Sequence, residues 1–265
     1  MSLAYREIRD KISLQQEANL FSVSLLASVE YNLEKVKGLK HTKMRREILE
    51  WLVKASTKQA KELCEKAKKR LQKIAEAYRL VGYKLISSEG KFIEARLTSR
   101  ALFGSRSFNY TLFEVGLEFD PYLNLPVVSG SSIKGALSTA WEVLELGDGK
   151  DVIFGRKGEV GRCVFCDALP IEPNQDGFIL YPDVVTPHYP DDEIEETKEP
   201  NPITYISVAP GVKFGFLIAV DKTVSFDILE KLRRAFLFAL WVGLGARTSV
   251  GYGVFEVTHF NIQLG

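Results

Sequence analysis

The chain has 265 residues, of which 46% are apolar and 26% charged, with a formal net charge of +1. That is ordinary for a soluble globular protein and long enough for one large cored domain, or one domain with an appendage. No apolar run approaches the roughly 20 residues that span a bilayer and no secretory leader is visible. Three cysteines form no disulfide framework, so a reducing cytoplasm is expected.

The first 80 residues read as helical. Met44, Ile48, Trp51, Leu52 and Ala55 form one apolar stripe, and Leu63, Cys64, Ala67, Leu71, Ile74, Ala75 and Tyr78 form another, at steps of three and four. Gly38 and the stretch Ala55-Ser56-Thr57 are the expected breaks. Residues 33–73 hold 14 Lys/Arg against 5 Asp/Glu. Residues 1–82 are therefore read as a helical region packed on a larger core, with a basic, solvated outer face.

The texture changes after Gly82. Phe92 to Leu97 alternates with period two, as a half-buried strand does, and Thr111 to Phe119 is a second strand-like stretch. A helix follows, N-capped by Ser131 or Ser132, with Ile133, Leu137, Ala140, Trp141 and Leu144 on its buried face. Arg162 to Leu169 reads as a strand, and the apolar run Phe214 to Val220 as a strand covered on both faces or in mid-sheet. Ile228, Leu229, Leu232, Ala235, Phe236, Ala239 and Leu240 make an amphipathic helix, and Tyr252 to Ile262 a last strand.

Strand, helix, strand, strand, helix, strand is the order of a ferredoxin-like domain, an antiparallel sheet with helices on one face, over residues 83–265. Residues 170–210 interrupt it. They hold eight of the ten prolines, and residues 167–200 carry ten acidic residues against the single Lys198. A long surface insertion with little regular structure is expected there, with a hairpin around Phe178–Tyr181.

Two motifs carry chemistry. "PVVSGSSIKGALS", residues 126–138, places Ser129, Ser131 and Ser132 hydroxyls, Gly130 and the Lys134 ammonium at a helix start. Helix starts have unpaired amides and a positive dipole end, an environment for a phosphate oxygen. The order of Lys134 and Gly135 does not fit a nucleotide-binding P-loop. "GLGARTSVGYGVFEV", residues 243–257, sets Gly243, Gly245, Gly251 and Gly253 around Arg247, Thr248 and Ser249. It runs from helix to strand, the reverse of a dinucleotide fingerprint. Glycines admit close approach of a sugar-phosphate backbone, and arginine grips phosphate with a bidentate fork.

Together the two motifs resemble the helix-opening motif and glycine-rich loop of the RAMP superfamily of CRISPR proteins. "VIFG" at 152–155, "GRCVFCDALP" at 161–170 and "DVVTPHY" at 183–189 resemble the sixth-subunit family of type III-B (Cmr) effector complexes. The superfamily pattern carries Ile and Pro where this chain has Val128 and Ser129. The resemblance implies a non-catalytic subunit near the 3′ end of a guide RNA (crRNA). Such a subunit contacts that backbone, the target RNA and neighbouring Cmr RAMP subunits, in antiviral defence, with no cofactor.

Cleavage chemistry is not evident. His41, His188 and His259 lie in unrelated regions, so no acid–base pair is visible. Asp120, in "EFDPYLNLP", reads as a turn opener rather than a catalytic group. Cys163 and Cys166 form a lone C-x-x-C whose members point to opposite faces of a strand, so no metal site is expected. A guide-processing endoribonuclease and a protein-only scaffold stand as the alternatives.

Overall fold

The computed structural model describes residues 19–36, 42–88, 91–104, 113, 115–185, 202–257 and 262–264. Helix α1 (Leu20–Val36) leads to α2 (Thr42–Leu80), 39 residues without interruption. The expected break at Ala55-Ser56-Thr57 is absent. The Ser56 and Thr57 hydroxyls both donate back to the Val53 carbonyl, at 2.9 and 2.8 Å, so they are satisfied inside the helix. Gly38 lies outside the described residues. Leu63, Cys64, Ala67, Leu71 and Ala75 are buried as their spacing predicts.

The chain then forms β1 (Lys84–Ser88), β2 (Ile93–Leu97), β3 (Phe119–Asp120), β4 (Leu125–Pro126), α3 (Gly130–Val143) and α4 (Lys150–Phe154). There follow β5 (Cys163–Phe165), β6 (Leu169–Glu172), β7 (Leu180–Val185), β8 (Ile203–Val208), β9 (Lys213–Phe216) and β10 (Ile218–Val220). Helix α5 (Phe226–Val242), β11 (Phe255–Val257) and β12 (Ile262–Leu264) close it.

Two four-stranded antiparallel sheets result, in the orders β12-β1-β10-β5 and β11-β2-β9-β6. Each strand of one continues along the chain into its counterpart in the other. Ile86 faces Ile218 and Ile93 faces Phe216, so on β9 and β10 only the buried Leu217 separates the two ladders. Both sheets repeat one order: the last strand, the first, the third and the second.

Helices cover both faces, not one. Phe216 meets Phe236 of α5 with ring centroids 5.6 Å apart, while a Cβ added to Gly215 would stand 2.7 Å from Leu71 of α2. Double coverage explains why Phe214 to Val220 is continuously apolar. Each large side chain buried this way contributes about 1.5–3 kcal/mol.

Two further expectations fail. In Thr111–Phe119 the described residues before Phe119 form no strand. Phe113 and Leu117 are buried, so the apolar pattern there serves to bury an irregular segment. The 170–210 stretch does have regular structure: β6 pairs with β9, and β7 with β8 from Leu180↔Val208 to Val185↔Ile203. Pro170 and Pro182 are tolerated because each stands on a strand paired on one side only. Ile171, Leu180, Tyr205, Ile206 and Val208 are buried, which puts the root of this hairpin in the core.

Candidate nucleic-acid interface

The N-cap of α3 is Ser129, not Ser131 or Ser132. Its backbone is extended (φ −63°, ψ 144°) and its hydroxyl accepts from the Ser132 amide at 3.4 Å. Ser129 Oγ also lies 2.9 Å from Ser132 Oγ, and Ser131 Oγ donates to it at 3.2 Å. The Gly130 amide donates to Asp167 Oδ1 at 2.8 Å. Gly130 is buried, and an added Cβ would collide with the Phe165 carbonyl. The glycine therefore seats the helix on β5. Ser131, Ser132 and Lys134 face outward. Glu118 bonds Ser129; its pKa is raised, chiefly by burial and further by Asp167, while the Ser129 bonds oppose the rise. Two carboxylates thus crowd this helix start.

The glycine loop is folded on itself and on residues 100–103. Leu244 N–H donates to the Gly253 carbonyl at 2.9 Å, Ala246 N–H to Leu102 at 2.8 Å and Gly253 N–H to Arg100 at 2.8 Å. An added Cβ on Gly253 would strike the Leu244 carbonyl, and one on Gly245 the Leu102 carbonyl; on Gly243 it would stand 2.6 Å from the Tyr252 carbonyl. All three also have positive φ. These glycines are required by the turn's own packing. Gly251, at φ +86°, meets nothing within 4 Å. Beneath the loop Phe103, Phe214, Phe216 and Phe255 form a ring cluster, with Phe216 and Phe255 centroids 5.4 Å apart.

Arg247 is left-handed (φ 64°), a conformation uncommon outside glycine, and precedes a 3-10 turn at Thr248–Val250. Its guanidinium carbon stands 5.2 Å from the Tyr252 ring centroid, within cation–π range. Thr248 is half-buried; Ser249 and Gly251 are exposed.

A polar hub behind the loop was not visible in sequence. Asp183, on β7, has a side chain only 1% exposed. It accepts from Arg100 Nη1 at 2.6 Å and from the Tyr252 hydroxyl at 2.8 Å, and the Tyr205 hydroxyl lies 3.2 Å from that of Tyr252. Burial works against the Arg100 charge, but Asp183 outweighs it and the pKa stands above its usual value. Burial, the Tyr252 bond and Asp183 push the Tyr205 phenol up. Arg100 also lies over Tyr181, 5.2 Å from its centroid. The available signals were Tyr252 between two glycines and Asp183 at the head of "DVVTPHY".

The two motifs share one strut. Leu102 accepts from Ala246 of the glycine loop, and Phe103 accepts from the Glu118 amide at 2.6 Å. The Glu118 carbonyl accepts from Val127, and its side chain bonds Ser129. Residues 100–103 thereby connect the loop to the approach to α3.

The other candidates have structural partners. Asp120 Oδ1 accepts from the Tyr122 and Leu123 amides at 2.9 and 2.8 Å, and Oδ2 from Arg70 at 3.1 Å. Asn124, in the same turn, accepts from the Leu20 amide at 2.6 Å and so caps α1. The turn is a clasp for both N-terminal helices. Burial pushes up the Cys163 and Cys166 thiols; Lys134 partly offsets it at Cys163, and a Tyr78 bond at Cys166. Among the described residues no three His, Cys, Asp or Glu side chains converge on a cation-sized site, and no helix is long and apolar enough to cross a membrane. The three histidines lie outside the described residues.

An antiparallel α+β domain with an arginine-bearing glycine loop tied to a hairpin defines the class, and comparison with known proteins agrees. Residues 46–256 match the RAMP superfamily, and the chain belongs to it. A relative described as CRISPR system CMR subunit Cmr6, from Saccharolobus solfataricus, is 34% identical over 200 residues, 75% of this chain and 66% of that protein. A chain in the cryo-EM structure of the type III-B Cmr-beta bound to cognate target RNA superposes with a TM-score of 0.79 at 29% identity, covering 97% of both chains. The crystal structure of Cmr6 from Pyrococcus furiosus gives a TM-score of 0.40 at 21% identity, over 63% of this chain and 96% of that one. The chain is a homologue of Cmr6 of type III-B CRISPR complexes.

Proposed function

We propose that this chain is a non-catalytic, RNA-binding subunit of a cytoplasmic type III-B Cmr complex acting against invasive RNA. It holds the guide RNA backbone near its 3′ end, beside the target RNA, and touches neighbouring Cmr subunits. The sheet order supports reading the domain as ferredoxin-like. The observation that carries the RNA-binding reading is the glycine loop: it presents Arg247 against Tyr252, beside Arg100, on a rigid aromatic floor. Arg247 has no carboxylate partner among the described residues, so its donors can meet phosphate. Ser129, Gly130, Ser131, Ser132 and Lys134 on one side, and Gly243, Gly245, Thr248, Ser249, Gly251 and Gly253 on the other, frame the proposed path. Binding of this kind is led by the backbone and tolerant of sequence, with base pairing to the guide carrying specificity.

Each single-strand phosphate contact contributes about −0.7 to the slope of log K against log salt. Replacing Lys134 and Arg247 together by alanine should weaken RNA binding and flatten that slope by about 1.4. Unchanged affinity and slope would refute the site. Asp120 is engaged by two amides and Arg70, which supports a structural role. A reconstituted complex carrying Asp120→Ala should cleave target RNA normally; a hundredfold loss at one position would overturn the non-catalytic reading.

A further inference from the structure

The basic excess of residues 33–73 has no part in the glycine-loop site. On α2 the face turned away from buried Leu63, Ala67, Leu71 and Ala75 carries Lys66, Lys69, Arg70 and Lys73, all exposed. At 1.5 Å per residue, Lys66 and Lys69 stand about 4.5 Å apart along the axis, as do Arg70 and Lys73, and the four cations span about 10 Å. With half-buried Ile74 and exposed Ala77 they line a concave space of about 460 Å³.

A helix face that merely meets water alternates its charges, because like charges three or four residues apart repel. Here Lys69 and Lys73, and Lys66 and Arg70, are like-charged pairs at i, i+4. Glu62 meets Lys66 at 2.6 Å and Asp120 meets Arg70 at 3.1 Å. Lys69 and Lys73 have no carboxylate within ion-pair distance among the described residues. Exposed Glu65 and Glu76 lie at helical spacing from them but form no ion pair with them, so both ammonium groups are open to an external anion.

We propose that this row is a second contact for an RNA backbone, separate from the glycine loop and taking consecutive phosphates. It rests on the RNA-binding reading. The row runs along the helix axis, and none of the residues lining it is aromatic. That suits a strand with one charge per nucleotide better than an acidic protein surface, which would need buried anchors.

The test is a salt titration from 50 to 200 mM of the whole chain with a fluorescent single-stranded RNA oligonucleotide. Wild type, Lys69→Ala/Lys73→Ala, Lys69→Arg/Lys73→Arg and Lys134→Ala/Arg247→Ala are compared. Two lost contacts flatten the slope by about 1.4, so across this range wild type should lose about sevenfold more affinity than the Lys69/Lys73 alanine variant. The arginine variant should keep the wild-type slope. A slope unchanged by the Lys69/Lys73 alanines but flattened by Lys134→Ala/Arg247→Ala overturns this inference and leaves the glycine-loop reading standing. The reverse result upholds the row and removes the glycine-loop site. No salt-dependent binding by wild type overturns both. An unchanged slope with loss of co-purifying Cmr subunits assigns the row to an acidic protein surface and likewise overturns it.

Discussion

At the start of α3 the Gly130 amide already donates to Asp167, the serine hydroxyls bond one another, and Glu118 stands beside them. The glycine loop has the opposite electrostatics: Arg247 lacks a carboxylate partner among the described residues, and a second guanidinium, Arg100, is fixed nearby by Asp183. Both motifs have glycines where neighbouring carbonyls fill the place of a Cβ. Glycine density therefore reports tight packing in both, and the charge around it distinguishes them. The loop is open to an anion. The helix start holds its own.

Alanine at the glycines should produce the largest effects and would break the packing half of this comparison. Gly253→Ala combines a backbone collision with φ +72°, and Gly130→Ala is a collision alone; each should cost roughly 3 kcal/mol or more in thermal or denaturant unfolding. Gly251→Ala, which meets nothing and has only its positive φ, should cost about 1–2 kcal/mol. Equal losses at Gly251 and Gly253 would show that contact geometry is not what separates them.

The charge half is sharpened by two carboxylates. Asp183→Asn removes the charge that holds Arg100 and Tyr252. It should cost about 1.5–3 kcal/mol, since hydrogen bonds to a buried charge are among the strong ones, and should weaken RNA binding with it. Asp167→Asn keeps an acceptor for the Gly130 amide but removes the negative charge. RNA affinity should rise by about two- to fivefold, the range expected of a charge at a helix end. Unchanged affinity would mean that the helix start is closed to phosphate. The smallest effect concerns thiols. Cys64, pushed up to about 12, and Cys163 are buried, and only Cys166 is half-exposed. Raised pKa values leave little thiolate at neutral pH, so iodoacetamide should add slowly, once per chain by mass spectrometry. Gly130→Ala, which disturbs the seat of α3 on β5, should release Cys163 as well.

Much of the fold was legible because it rests on local periodicity. Leu232, Phe236 and Ala239 of α5, and the alternation of β2, are where their spacing puts them. What a helix covers is not a local property. That α2 lies on the opposite face of the sheet depends on Gly215 admitting Leu71, a contact between distant parts of the chain. The site divides the same way. Arg247 and its glycines stand out in sequence, but Asp183 looks like one more carboxylate in an acidic stretch until the fold brings it 2.6 Å from Arg100. The prolines of 170–210 suggested little regular structure, because edge position, which makes Pro170 and Pro182 harmless, is set by tertiary pairing.

The strand pairing also sets an order in time. β1 is a central strand, yet its partner β12 pairs Leu264 with Ile86, and the glycine loop docks on Arg100 and Leu102. During synthesis a ribosome releases residues 84–104 long before it makes 243–264. Non-local pairing of this kind is slow, because loop closure precedes any reward. The glycine loop is thus among the last parts of the protein to take shape. On the proposed RNA-binding reading, a half-made chain would have no finished grip on a guide.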